Sequence, residues 1–252
     1  MSYYIVDNVS KIFGSGPTAV SALDDITFDI AEGEFVVIMG ESGAGKSTLL
    51  GILGAMNAPT TGRLVVDDID IYGLRSEQQT DFRREFLGFI FQSFHLVSYL
   101  TVIENVMLPL AVKKISRQQK YHMAETALSQ VGLADKATRL PNQISGGESE
   151  RVAIARAIVN EPPVLLADEP TGNLDSRTSQ EIMLLLDRLN RDGMTIIMVT
   201  HSRVCADYAH RMIQISDGKL LDDKPTGSYL QSVDVLKSGD NFPSEYPMDS
   251  CR

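Results

Sequence analysis

The run "EFVVIM" followed by "GESGAGKST", residues 34–48, limits this chain more than any other stretch. A short β-branched strand, a glycine-rich loop and a helical run, "STLLGILGAM", follow one another without a gap. The loop fits G-x-x-x-x-G-K-[ST] with Gly40, Gly45, Lys46 and Ser47. Glycines let backbone N–H groups close on a phosphate, and the following helix points its positive end at the same anion. Glu41, Ser42, Gly43, Ala44 and Thr48 complete the cradle. Lys46 neutralises β/γ-phosphates and Ser47 offers a hydroxyl to Mg²⁺. The motif specifies a nucleoside triphosphate and leaves reaction and base open.

A strand that feeds such a loop needs parallel neighbours. "PVLLAD" (163–168) and "TIIMVT" (195–200) are equally apolar on both faces, as strands covered by helices are. In 176–191, Ile182, Leu185, Leu186 and Leu189 share one helical face, with Ser176 as the expected N-cap. Ser116 is placed to cap a helix that ends near Gly132. "YYIVDNVS" and "ALDDITFDI" read instead as a small antiparallel layer. The fold class is therefore α/β, a mostly parallel sheet with an N-terminal antiparallel β layer. Residues 222–252 are polar, carry Pro225, Pro243 and Pro247, and read as a poorly ordered tail.

Phosphoryl chemistry requires an acid for the metal and a group to orient water. Asp168 and Glu169 end an apolar strand, and side-chain alternation points Asp168 at a metal and Glu169 at the water. His201 directly follows the 195–200 strand, and Gln92 follows "LGFIF". In a parallel sheet these carboxyl ends share one edge, where ligands bind. A neutral amide at Gln92 ligates Mg²⁺ without adding charge. Further on, "QISGGESER" places Ser145 and Glu148 at capping-box spacing. A box does not need Gly146 and Gly147 between its ends, so bare N–H groups form a second anion site at a helix start.

Together these motifs resemble an ABC-transporter nucleotide-binding subunit over residues 3–220. The resemblance implies a P-loop NTPase core, spanning 1–221, with a helical subdomain inserted at about 93–160. Lys46 and its loop match Walker A, "VLLADE" matches Walker B with Glu169 as catalytic base, and Gln92 matches the Q-loop. "GNLD" matches the D-loop with Asp175, and His201 matches the switch histidine that contacts the γ-phosphate and Glu169. Ser145, Gly146, Gly147 and Glu148 match the "LSGGQ" signature, which in the family acts on ATP held by the partner subunit. Ile144 stands for Leu and Glu148 for Gln. Phe13 takes the place of an adenine-stacking tyrosine and can still stack. The implied metal set is Ser47, Gln92 and Asp168, with ATP and Mg²⁺ as cofactors.

The implied activity is ATP hydrolysis by a head-to-tail homodimer that drives a membrane permease for export or mechanotransmission. "FQSFHLVSYLTVIENVMLPL", after Gln92, is similar to the branch serving lipoprotein release, macrolide efflux and cell-division permeases, and there receives the permease. Two other uses of the same head are weighed against this: a regulatory scaffold with little turnover, and a DNA-repair type ATPase. The second brings a long coiled-coil insertion or zinc-type cysteines. Here Cys205 and Cys251 have no metal-like spacing. A net charge of -10 repels phosphate backbones and argues against nucleic acid. No apolar run approaches the roughly 20 residues of a membrane span, and no basic-then-apolar leader opens the chain. The expectation is a soluble protein held at the cytoplasmic face of the inner membrane by its permease.

Overall fold

The computed structural model describes residues 2–226. In chain order come β1 (Ser2–Phe13), β2 (Val20–Ala31), β3 (Phe35–Met39), α1 (Lys46–Leu53), β4 (Thr61–Val66) and β5 (Ile69–Asp70). Then follow α2 (Ser76–Phe86), β6 (Leu87–Ile90), α3 (Val102–Met107), α4 (Arg117–Gln130), α5 (Gly146–Ile158) and β7 (Val164–Asp168). The chain continues through α6 (Ser176–Arg191), β8 (Thr195–Thr200), β9 (Arg211–Ser216) and β10 (Lys219–Pro225).

The expected α/β class holds. The larger sheet runs β10-β9-β3-β8-β7-β6, parallel throughout except where β10 meets β9. The antiparallel layer, β2-β1-β4-β5, takes in two strands beyond the N-terminal hairpin. All of β3 and β8, and β7 up to Ala167, are buried. Alternation divides them between two cores. Phe35, Val37 and Met39 face α3–α6, and Val36 and Ile38 face α1 and the antiparallel layer. Each such side chain contributes about 1.5–3 kcal/mol of transfer free energy, so the strands that lead into the site are anchored by core packing on both faces. Helices α3, α4 and α5 lie between β6 and β7 in sequence and pack on one another in the first core.

Two expectations need correcting. The N-cap of α6 is Asp175, not Ser176; its carboxylate accepts from the Thr178 N–H at 3.0 Å. Asp and Ser are near-equal caps, so side-chain type alone does not choose between neighbours. Of the poorly ordered tail expected at 222–252, residues 222–225 instead belong to β10 and Thr226 is buried. An edge strand is held by backbone pairing and needs few apolar side chains. Here Arg211 of β9 also clasps Asp223 at 2.5 Å through two nitrogens. The rest of that tail, 227–252, with Cys251, lies outside the described residues.

Candidate functional site

In the order β3-β8-β7-β6, four neighbouring strands end along one sheet edge. The phosphate loop follows the first, His201 the second, Asp168–Glu169 the third and Gln92 the fourth. All of them line one cavity of about 670 Å³, together with Glu41, Ser42, Gly43, Gly45, Lys46, Ser47 and Thr48. Ala22 of β2 closes its wall. Sequence reasoning missed Ala22, since only the register of β1 and β2 brings it there.

The loop is shaped for an anion. Gly45, the N-cap of α1, has φ 99 and gives no side-chain cap, so the first N–H groups of α1 stay available. A Cβ on Gly45 would stand 2.4 Å from the Ala22 carbonyl oxygen, and one on Gly40 would stand 2.3 Å from that of Ile215. Backbone therefore supports the loop closely from below. Lys46 is buried and its ammonium donates to the Gly40 and Glu41 carbonyls at 2.8 and 2.9 Å. Ala44 is buried in the loop's underside, and its carbonyl accepts from the Gly218 N–H.

Ser47 Oγ donates to Asp168 Oδ1 at 3.3 Å. Burial pushes the Asp168 carboxyl up; the Ser47 hydroxyl bond and Lys46 oppose this, and the Glu169 charge adds to it. Glu169 does not occupy the strand position that alternation assigned. β7 ends at Asp168, and Glu169 turns into the left-handed region at φ 48 while its N–H donates to the Val199 carbonyl. That turn, rather than strand pleating, aims its side chain. A non-glycine residue held there is costly by about 1–3 kcal/mol and is commonest at functional sites. His201 Nδ1 lies 2.9 Å from Glu169 Oε2, so the imidazole holds one carboxylate oxygen and leaves the other for a reactant.

Ser145 and its neighbours do not line this cavity. Ser145 and Gly146 are exposed at the start of α5. The capping box forms as expected: Glu148 Oε2 accepts from the Ser145 N–H at 2.7 Å, and Ser145 Oγ accepts from the Glu148 N–H at 3.2 Å. The Ser145 N–H holds the Glu148 carboxyl below the usual carboxylate range, against a smaller opposing effect of burial. The two glycines differ. Gly147 is buried, and a Cβ there would meet Thr178 Cγ2 at 2.3 Å, whereas at Gly146 the nearest atom would be Leu174 Cδ2 at 3.9 Å. Packing of α5 on α6 thus gives Gly147 a requirement within its own subunit, in addition to the contact with a partner's phosphate that the sequence suggested. Asp175 lies outside the cavity as the α6 cap. Phe13 also lies beyond its lining, half-exposed on β1 opposite Val20, with the Lys11 ammonium 5.2 Å from its ring centroid.

Known proteins resemble this chain in sequence and fold. The family model described as ABC transporter matches residues 23–172. An ABC transporter ATP-binding protein of Methanocaldococcus jannaschii, MJ1508, is 45% identical over 215 residues, covering 85% of this chain and 96% of that protein. The macrolide export ATP-binding/permease protein MacB of Vibrio parahaemolyticus is 43% identical over 86% of this chain, which spans only 33% of MacB. A dimeric post-hydrolysis structure of the ATP-binding cassette MJ0796, bound to ADP and Pi, superposes with a TM-score of 0.81. Identity to it is 41%, with 88% of this chain and 98% of that chain covered. The chain belongs to the ABC transporter family, as its ATP-binding and ATP-hydrolysing subunit.

Proposed function

We propose that two copies of this chain close head to tail on two Mg·ATP and drive a membrane permease from the cytoplasmic face. The observation that carries the catalytic part is the single cavity in which phosphate loop, acid pair, His201 and Gln92 meet, with His201 on Glu169 at 2.9 Å. Gly40–Thr48 bind the triphosphate through loop N–H groups and the start of α1, and Lys46 exchanges its loop carbonyls for phosphate oxygens. Phe13 stacks on adenine. Glu169 takes the proton of the attacking water on the oxygen that His201 does not hold. His201 fixes that carboxylate and reaches the γ-phosphate.

The donor set fits Mg²⁺. The Ser47 hydroxyl, Asp168 carboxylate and Gln92 amide supply oxygen ligands, and Mg²⁺ prefers one or two carboxylates completed by substrate phosphates. A half-buried carboxyl pushed up by its surroundings, as Asp168 is, also gains from a cation. When bound, the ion neutralises charge that builds on the phosphate oxygens during transfer.

Ser145, Gly146 and Glu148 act on the partner's ATP, with Asp175 beside them in the loop that precedes α6. The dimeric MJ0796 cassette supports this pairing, as does a helix start already capped by its own box, whose exposed Gly146 is free to meet a ligand. A permease partner is supported by the MacB relatives, named as ATP-binding/permease proteins. Exposed apolar side chains after Gln92, among them Tyr99, Leu108 and Val112, suit such a contact. Among the described residues no helix is long and apolar enough to cross a membrane. The MacB relatives, named for macrolide export, favour the export branch over the scaffold and DNA-repair alternatives.

Glu169→Gln tests the reading. The variant should retain ATP, elute as an ATP-dependent dimer on size-exclusion chromatography and lose nearly all turnover. A variant that stays monomeric with ATP, or that hydrolyses at the wild-type rate, overturns the assignment.

A further inference from the structure

Between β7 and α6 a short loop is attached at four successive residues. The Gly172 N–H donates to the Glu169 carbonyl at 3.0 Å. A methyl on Gly172 would stand 3.4 Å from Glu169 Oε2 and 3.6 Å from Gln92 Nε2, so any side chain there would touch both functional side chains. Asn173 Nδ2 donates to the Gln92 backbone carbonyl at 2.9 Å. Leu174 packs into the core, and Asp175 caps α6.

The chain around Gln92 needs such a support. β6 stops at Ile90 and α3 starts at Val102, so Gln92 stands on irregular backbone. His95 in that stretch sits at φ 47. The Phe94 and His95 carbonyls accept from the Arg156 guanidinium, both at 2.7 Å. Asn173 thus holds the residue that enters the cavity, and Arg156 the two that follow its neighbour.

We propose that Asn173 is the positioning residue of Gln92: its carboxamide fixes the Gln92 carbonyl and thereby the direction in which the Gln92 side chain enters the site. The inference rests on the role proposed above for Gln92. One exposed hydrogen bond adds little to stability, but a small misplacement of a group near a reacting centre is costly in rate. The side-chain type fits the task. The contact needs an N–H donor, whereas an ionised aspartate offers only acceptors and would face a carbonyl oxygen with like partial charge.

The test compares Asn173→Asp, Asn173→Ala, Gln92→Ala and the double variant Gln92→Ala/Asn173→Asp in steady-state Mg·ATP hydrolysis. Asn173→Asp should lower kcat about tenfold, Asn173→Ala less. The KM for ATP should move by less than about twofold, and half-maximal turnover should require more Mg²⁺. On the Gln92→Ala background Asn173→Asp should cost nothing further, since no side chain remains to be aimed. An equal loss on that background, or wild-type kcat for Asn173→Asp, overturns the proposal while the Gln92 role stands. Wild-type turnover by Gln92→Ala removes both. If Asn173→Asp melts early, Asn173→Ala decides by the same non-additivity.

Discussion

Glycine stands at the entry to both α1, as its N-cap Gly45, and α5, as its first residues Gly146 and Gly147, yet it serves each differently. At α1 the backbone itself demands it. Gly43 and Gly45 have φ 83 and 99, and carbonyl oxygens of β2 and β9 crowd Gly45 and Gly40 from below. No side chain caps α1, so its first N–H groups are left for the triphosphate proposed to bind there. At α5 both glycines have helical backbone, and the cap is already supplied by Ser145 and Glu148. Gly147 is required by a neighbour's side chain, and only Gly146 is left with open space before it. One start leaves its N–H groups uncapped over a tightly supported loop; the other is a finished helix end with one bare position.

The largest effect that would sharpen this contrast is expected at Gly45→Ala. A side chain there meets both a left-handed backbone, costly by about 1–3 kcal/mol, and the Ala22 carbonyl at 2.4 Å. A lower melting temperature should accompany an ATP affinity at least about tenfold weaker, each further 1.4 kcal/mol costing another factor of ten. Calorimetric titration at wild-type affinity would mean that the loop adapts and that its glycines are not required by geometry.

Gly147→Ala should come next. Its clash is with a side chain, but one that cannot turn aside freely. Asp175 holds both the Thr178 N–H, at 3.0 Å, and its hydroxyl, at 2.7 Å, which fixes where Cγ2 points. Overpacking of this kind costs about 1–3 kcal/mol. Thr178→Ser removes the offending methyl and keeps the hydroxyl, so Gly147→Ala/Thr178→Ser should recover most of the melting temperature. A stable Gly147→Ala, unaffected by Thr178→Ser, would return Gly147 to the role of a ligand-facing glycine.

These contacts also mark where the sequence stops being legible. "FVVIM", "VLLAD" and "TIIMVT" read as buried strands because their pattern is local, and the phosphate loop, Ser116 cap and Ser145–Glu148 box are legible for the same reason. The convergence of Lys46, Asp168, Glu169, His201 and Gln92 follows once the strands are parallel. What escapes is set across the chain. Gly147 meets Thr178, Asn173 meets Gln92, and Ala22 meets the loop only after the elements pack. The Glu169 turn escapes for another reason, since nothing in residue type distinguishes φ 48 from one more strand residue. Likewise β10 is polar because an edge strand is satisfied through its backbone.

Gly146→Ala carries the smallest and most telling effect. Its backbone is helical, and an added methyl would find its nearest neighbour, Leu174 Cδ2, at 3.9 Å, an ordinary contact. Replacing glycine by alanine at a compatible position restricts the unfolded chain, so the monomer should gain about 0.4–1 kcal/mol, towards the low end at a helix's first residue. The same methyl would stand at the exposed face that the proposed partner's phosphate must approach. In the Glu169→Gln background the ATP-dependent dimer should therefore weaken although each subunit has become more stable. Opposite signs in the thermal melt and the size-exclusion profile separate a glycine kept for a partner from one kept for the fold. If dimerisation is untouched, α5 begins with two glycines of which neither meets a second subunit, and the head-to-tail reading loses its support at this residue.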